Sequence, residues 1–144
     1  MIAIEPNPSL GAAVALLDAA GLPSADLSAA QLRHFLFCGP RDAPTGLVGI
    51  EIFDRDALLR SLAVAPAARR SGLGSTLVRH AERHASEHGV HSLYLLTMTA
   101  RSFFETRGYR VISRESCPDV IRATSEFATL CPASSILMMK ILTD

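Results

Sequence analysis

The run Val64-Ala65-Pro66-Ala67-Ala68-Arg69-Arg70-Ser71-Gly72-Leu73-Gly74 constrains this chain more than any other. It follows an apolar, strand-like stretch, Ala57 to Val64, and opens an amphipathic segment that reaches Gly89. In that segment Leu73, Leu77, Ala81 and Ala85 recur at i, i+4, i+8 and i+12, the apolar stripe of a helix packed on one side. A glycine-rich turn from strand to helix points several backbone N–H groups at one spot, and the helix dipole adds partial positive charge there. Such a place suits a phosphate or pyrophosphate. Arg69 and Arg70 put two permanent cations beside it. The alternative is a plain helix start with exposed arginines.

Two other phosphate loops fit poorly. Gly72-Leu73-Gly74-Ser75-Thr76-Leu77 has the first two glycines of a dinucleotide fingerprint but Leu77 in place of the third. No acidic residue ends a second strand about 20 residues on, where a ribose partner belongs. A Walker-type loop needs Gly-Lys followed by Ser or Thr, which the sequence lacks.

Composition narrows the partners. Lys plus Arg equals Asp plus Glu, 14 against 14, without a basic run, which argues against nucleic acid. No apolar stretch of membrane-spanning length and no basic-then-apolar leader stands out, so a cytoplasmic location is expected, with no membrane partner. Hydrophobic residues make up 49%, enough for a real core, and 144 residues are expected to form a single domain, 1–144. Cys38, Cys117 and Cys131 fit neither a disulfide framework nor a metal spacing. His80, His84 and His88 recur every four residues, but no carboxylate joins them suitably, and no metal is expected.

Along the chain the pattern is continuous α/β. Strands are expected at Met1 to Glu5 (stopped by Pro6), Phe35 to Cys38, Leu47 to Phe53, Ala57 to Val64, Ser92 to Thr97, Tyr109 to Ser113 and Ser135 to Leu142. Helices are expected at Ser9 to Ala20, Leu27 to His34, the long amphipathic segment, Ala100 to Arg107, and Pro118 to Thr129.

Arg-x-x-Gly-x-Gly after a strand ending in Val-x-Pro resembles the acetyl-CoA pyrophosphate loop of the GCN5-related N-acetyltransferases (GNAT family). Ala100-Arg101-Ser102-Phe103-Phe104-Glu105-Thr106-Arg107-Gly108-Tyr109 is similar to that family's second signature. The correspondence is close from Leu47 to Tyr109 and rests on element order elsewhere. With Ile121 to Phe127 and Leu130 to Ser134, the Ala-x-x-Phe-Phe variant resembles the arsenic-resistance, ArsN-type members. The resemblance implies an α/β (α+β) GNAT fold: a mixed, mostly antiparallel sheet of about six or seven strands flanked by helices, with strands 57–64 and 92–97 splayed apart. It implies acetyl-CoA as acetyl donor and direct transfer to an amine in a ternary complex. Leu62, Ala63 and Val64 would pair with the pantetheine amides; Arg69, Arg70, Ser71, Gly72, Leu73, Gly74 and Ser75 would hold the pyrophosphate. Thr97, Phe103 and Phe104 would flank the pantetheine and thioester, with core packing as the other reading of both phenylalanines.

Two departures bear on mechanism. Many members place Tyr at the position of Phe104 to protonate the leaving thiolate, and a Glu as base where this chain has Leu58-Leu59. A lysine amine near pKa 10.4 is only about 0.1% neutral at pH 7.4, whereas an α-amine near 8 is on the order of 20% neutral. A small α-amine therefore suits a site without a standard base. Glu51, Tyr94 and Tyr109 are the surrogate candidates.

Arg60 interrupts an apolar strand, where a charge must face a cleft or a partner. It is a candidate clamp for a substrate carboxylate or oxyanion, or half of a salt bridge to Glu51 or Asp56. Arg122 and Glu126, four residues apart on the extra helix, either pair with each other or wall the acceptor pocket. The acceptor expected from these features is a small anionic amino-acid-like amine, such as a glutamate-like organoarsenical or organophosphorus amino acid. A CoA-binding module without catalysis and a protein N-acetyltransferase are the alternatives, and a homodimer stays open.

Overall fold

A computed structural model describes residues 3–142. In chain order the elements are β1 (Glu5–Pro6), α1 (Leu10–Ala19), β2 (Phe35–Cys38), β3 (Gly46–Phe53), β4 (Asp56–Val64), α2 (Leu73–Glu87), β5 (Ser92–Thr97), α3 (Arg101–Thr106), β6 (Arg110–Val111), α4 (Asp119–Arg122) and β7 (Ile136–Ile141). The strands form one seven-stranded sheet in the order β1-β2-β3-β4-β5-β7-β6. The β4–β5 pair is parallel, and β1–β2, β2–β3, β5–β7 and β6–β7 are antiparallel. This is the mixed, mostly antiparallel α/β sheet that the family resemblance implies.

The chain packs as two compact units: residues up to Glu51 with Leu59–His84, and Ile52–Leu58 with the chain from Ala85 onward. In the first unit, Ala13 and Leu17 of α1 pack with Leu32, Phe35, Phe37, Leu47 and Ala63. α1 stops where Gly21 takes φ +71°, the left-handed conformation that glycine adopts without penalty. The short edge strand β1 tolerates Pro6 because an outermost strand leaves one row of N–H groups unpaired anyway. The strand therefore includes Pro6 rather than stopping before it; the Met1 and Ile2 part of that expectation lies outside the described residues. Register in β2–β3 sets Phe35 opposite Gly49. A Cβ on Gly49 would lie 2.3 Å from the Phe35 ring.

In the second unit β5 lies between the first part of β4 and β7, with Asp56–Leu58 registered against Ser92–Tyr94. Leu58, Tyr94, Cys117, Ile121, Leu137 and Met139 form its buried cluster. Buried on both faces, β5 reads as an apolar run in sequence.

Three elements are shorter than their pattern suggests. The Leu27 to His34 segment is helical only as a 3₁₀ turn over Gln31–His34. Both the N–H and the hydroxyl of Ser28 donate to the Gln31 side chain, a bond of capping-box type at the entry to that turn. The Pro118 to Thr129 helix splits into α4 and a π turn at Glu126–Leu130. Between them the buried Thr124 donates its hydroxyl back to the Ile121 carbonyl and accepts from the Phe127 N–H. The Tyr109 to Ser113 strand is reduced to two residues.

Gly49→Ala should overpack this ring contact and lower stability by about 1–3 kcal/mol. Urea unfolding midpoints check it, and Phe35→Leu in the same chain should recover part of the loss.

Candidate active site

Between β4 and α2 the chain runs through a 3₁₀ turn, Pro66–Ala68, and then an extended Arg69. Arg70 follows at φ +66° and Gly72 at φ +81°. A left-handed arginine is uncommon and has to be held by its surroundings. The loop is pinned at both ends. Ala65 N–H donates to the Thr45 carbonyl at 2.8 Å, and Arg69 Nε donates back to the Val64 carbonyl at 3.1 Å. Ser71 Oγ donates to the Ala68 carbonyl. Thr76 N–H closes a helical bond on the Gly72 carbonyl at 3.1 Å. The N–H groups of Leu73 and Gly74 lie ahead of that bond, in the first turn, where an α-helix has no acceptors of its own to offer. Arg69, Arg70, Ser71 and Gly72 are exposed, whereas the Leu73 side chain is buried and anchors the helix start. A Cβ on Gly72 would meet nothing within 4 Å, so its φ rather than its space demands glycine.

Arg60 is engaged inside the protein. Its Nη1 donates to Asp26 Oδ2 at 2.5 Å and to Glu51 Oε2 at 2.8 Å, its Nη2 to Asp26 Oδ1 at 2.8 Å, and its Nε to Ser61 Oγ at 3.0 Å. The guanidinium is fully buried, with its carbon 6.0 Å from the Phe35 ring centre. Of the two salt-bridge partners expected from sequence, Glu51 is observed; the bidentate partner, Asp26, was not foreseen. A guanidinium held by two carboxylates and a hydroxyl is poorly placed to clamp a substrate anion, because capture would break a buried pair. The hydrogen-bonded Arg60 holds the Asp26 carboxyl below its ordinary range, against the upward push of burial. No sequence signal marks Asp26: an acidic residue in the loop after α1 carries no spacing to a strand 34 residues later.

Leu62, Ala63 and Val64 close β4 in the first unit, whereas Thr97, Phe103, Phe104, Tyr94, Tyr109, Arg122 and Glu126 lie in the second. Thr97 Oγ1 accepts from the Ala100 N–H at 3.0 Å and so shapes the turn into α3. Phe104 is buried edge-on between Phe103 and Tyr109, with ring centres 5.0 and 5.4 Å away. Phe103 is half-buried beneath the Arg107 guanidinium, 3.6 Å from the ring centre. Tyr94 sits in the apolar cluster around Leu58 and Met139, where burial, helped by Asp56, raises its phenol above the usual range. A phenol so shifted keeps its proton at neutral pH and is a poor base. Tyr109 is buried, and Lys140 Nζ lies 5.5 Å from its ring centre. Exposed Arg122 bonds Asp119, its neighbour in α4. Glu126 is buried one turn on, and its carboxylate accepts from Cys131 Sγ at 3.7 Å. His84, grouped in sequence with His80 and His88, meets His34 from outside its helix, Nε2 to Nδ1 at 3.0 Å.

Residues 13–109 match the model of the acetyltransferase (GNAT) family. An uncharacterized N-acetyltransferase of Chlorobaculum tepidum is 38% identical over 116 residues, covering 77% of this chain and 72% of its own length. The chain therefore belongs to the GNAT family of acetyltransferases, and it is an acyltransferase. Among solved structures, N-acetylglutamate synthase of Neisseria gonorrhoeae, complexed with coenzyme A and N-acetylglutamate, superposes with a TM-score of 0.82 at 19% identity. The match covers 100% of this chain but spans only 36% of that synthase. The ribosomal-protein-S18-alanine N-acetyltransferase of Escherichia coli gives 0.69 at 17% identity, covering 100% of this chain and 96% of its own. At these identities the two structures establish the fold. Among the described residues no helix is long and apolar enough to cross a membrane.

Two titrations follow. Asp26 has a lower pKa folded than unfolded, so its stabilisation is complete above the ordinary value of 3.8 and is lost as pH falls through the folded value. The difference in urea midpoint between wild type and Asp26→Asn should be constant near neutrality and shrink as acidification passes below about pH 4. Burial pushes the Cys117 thiol up to about 11. Thiolate is the reactive form, so a thiol reagent near neutral pH should modify the half-buried Cys131 well before Cys117, as peptide mapping would show.

Proposed function

We propose that the chain transfers the acetyl group of acetyl-CoA to the amine of a small, anionic, amino-acid-like acceptor, directly within a ternary complex. The observation that carries this reading is the loop from Arg69 to Ser75: two exposed arginines, left-handed turns at Arg70 and Gly72, and the first-turn N–H groups of a long helix. That donor set matches a pyrophosphate in charge and in hydrogen-bonding sense. Leu62, Ala63 and Val64 lead directly into the loop, and their backbone is the edge offered to the pantetheine amides. Thr97, Phe103 and Phe104 remain the proposed surroundings of the thioester end, in positioning rather than proton-transfer roles.

The reaction joins the acceptor nitrogen to the acetyl carbon and releases the thiol. Of the three surrogate bases, Glu51 is the one favoured by its chemistry. It is a carboxylate tied by one oxygen to Arg60 and left 16% exposed, whereas Tyr94 holds its proton and Tyr109 is packed in the core. Glu51 would take the ammonium proton, directly or through water. With no phenol at Phe104, positioning carries the greater load, and it can supply on the order of 7–11 kcal/mol.

For the acceptor, Arg60 gives less support to an anionic substrate than the sequence implied, since Asp26 and Glu51 occupy it. Support comes instead from the superposed N-acetylglutamate synthase, which holds N-acetylglutamate, and from the weakness of the base, which favours an α-amine over a lysine. Arg122, exposed at the end of α4, is the remaining cation proposed for the acceptor carboxylate, with Glu126 shaping the turn beside it. The ArsN-type resemblance keeps glutamate-like organoarsenical and organophosphorus amino acids among the candidates.

The combined Gly72→Val and Gly74→Val variant should remain folded by circular dichroism and lose CoA binding in calorimetry. Undiminished binding would remove the loop assignment. Thiol release from acetyl-CoA, measured across free amino acids, their arsenic and phosphorus analogues and N-terminal peptides, tests the acceptor class. A response to peptides alone would replace the small-molecule reading with protein acetylation.

A further inference from the structure

We propose that Arg60 is a positioning residue for cofactor binding: its buried guanidinium, fixed by Asp26 and Glu51, holds a kink at Ser61 that sets the direction of the Leu62–Val64 edge. This rests on the acetyl-CoA reading above.

Ser61 lies within β4, yet its φ is +59°. Among the described residues, the other non-glycines of this kind are Asn7 and Asp54, whose short polar side chains tolerate the left-handed region, and Arg70 in the loop itself. Serine tolerates it less well than asparagine or aspartate, and inside a strand it marks a local irregularity of the bulge kind. Such a conformation persists only where the surroundings over-determine it. The surroundings here are specific. Ser61 is 7% exposed, and its Oγ accepts from Arg60 Nε at 3.0 Å. Arg60 cannot swing away, because a fork-to-fork pair with Asp26, from the loop after α1, and a second bond to Glu51 of β3 fix its other nitrogens. A planar guanidinium held along two edges presents its Nε–H in a single direction. The hydroxyl that takes this bond, and the backbone that carries it, are thereby held on the far side of the φ barrier. Directly beyond come Leu62, Ala63 and Val64, and Val64 O receives the Arg69 side chain that opens the loop. Relaxing residue 61 to an extended conformation would rotate that edge and shift the loop's first anchor.

The test separates this role from simple stabilisation. Ser61→Ala removes the hydroxyl but keeps the cost of a positive φ, whereas Ser61→Gly removes the hydroxyl and the cost together. CoA dissociation constants from calorimetry should rise on the order of tenfold for Ser61→Ala and much less for Ser61→Gly. Asp26→Asn, which loosens the guanidinium, should also weaken CoA binding, and Ser61→Gly in that background should recover most of the loss. In turnover assays of Ser61→Ala the effect should fall on KM for acetyl-CoA more than on kcat. Equal affinities for the Ala and Gly variants, or absence of rescue in the Asp26→Asn background, would overturn the proposal. Wild-type protein that fails to bind CoA at all would instead overturn the cofactor reading on which it rests.

Discussion

The interaction on which the first unit depends is the burial of one positive charge. Arg60 stands in the middle of an apolar strand, and a guanidinium taken out of water costs several kcal/mol unless its donors are met. Asp26, Glu51 and Ser61 meet them, and in doing so join three separated pieces of chain: the loop after α1, β3 and β4. A buried pair of this kind contributes little net stability compared with a well-packed apolar substitute. Losing one partner, by contrast, typically costs about 3–5 kcal/mol, because it strands the rest. The cluster is thus better understood as specifying an arrangement than as adding to the total stability.

A second constraint acts at the other end of β4. The start of α2 is fixed by apolar burial: Leu73, Leu77, Ala81 and Ala85 are all 3% exposed or less. Once Leu73 must point inward, the first-turn N–H groups of Leu73 and Gly74 have their direction determined, and the chain has only a few residues in which to turn from strand to helix. The left-handed conformations at Arg70 and Gly72 are the result. Packing of an ordinary amphipathic stripe therefore places a set of polar donors, and the arginines beside them are exposed because nothing in the core asks for them.

This explains which parts were legible from the sequence. Loop and stripe are local in the chain, with spacing that encodes geometry directly, so the strand–turn–helix unit could be read at its residues. Strands β2 and β5, dense apolar runs, were legible at both ends for the same reason. What could not be read was non-local or bound to one side-chain choice. The pairing of Asp26 with Arg60 crosses 34 positions. The kink at Ser61 has no glycine or asparagine to announce it. The helix expected through Thr129 breaks because Thr124 bonds backward to Ile121, a competition that residue type allows but does not require. Arg60 itself was legible as an anomaly, and its meaning depended on knowing what lay opposite.

The same distinction between local and distant information governs the chemistry. Proton-transfer groups are defined by their environment, and burial here holds the Tyr94 phenol above its ordinary range, away from use as a base. Phe104 is committed to an aromatic stack with Phe103 and Tyr109, each pair meeting edge to face. An aromatic ring so held excludes water and fixes shape, but it donates no proton. On the proposed reading, acyl transfer takes its advantage from the orientation of two bound reactants and from an acceptor whose amine is already partly neutral. On that reading, rigid placement of strand edge and loop matters more than the strength of any acid or base, and Arg60, the buried cation among the described residues of the first unit, acts there by fixing backbone conformation.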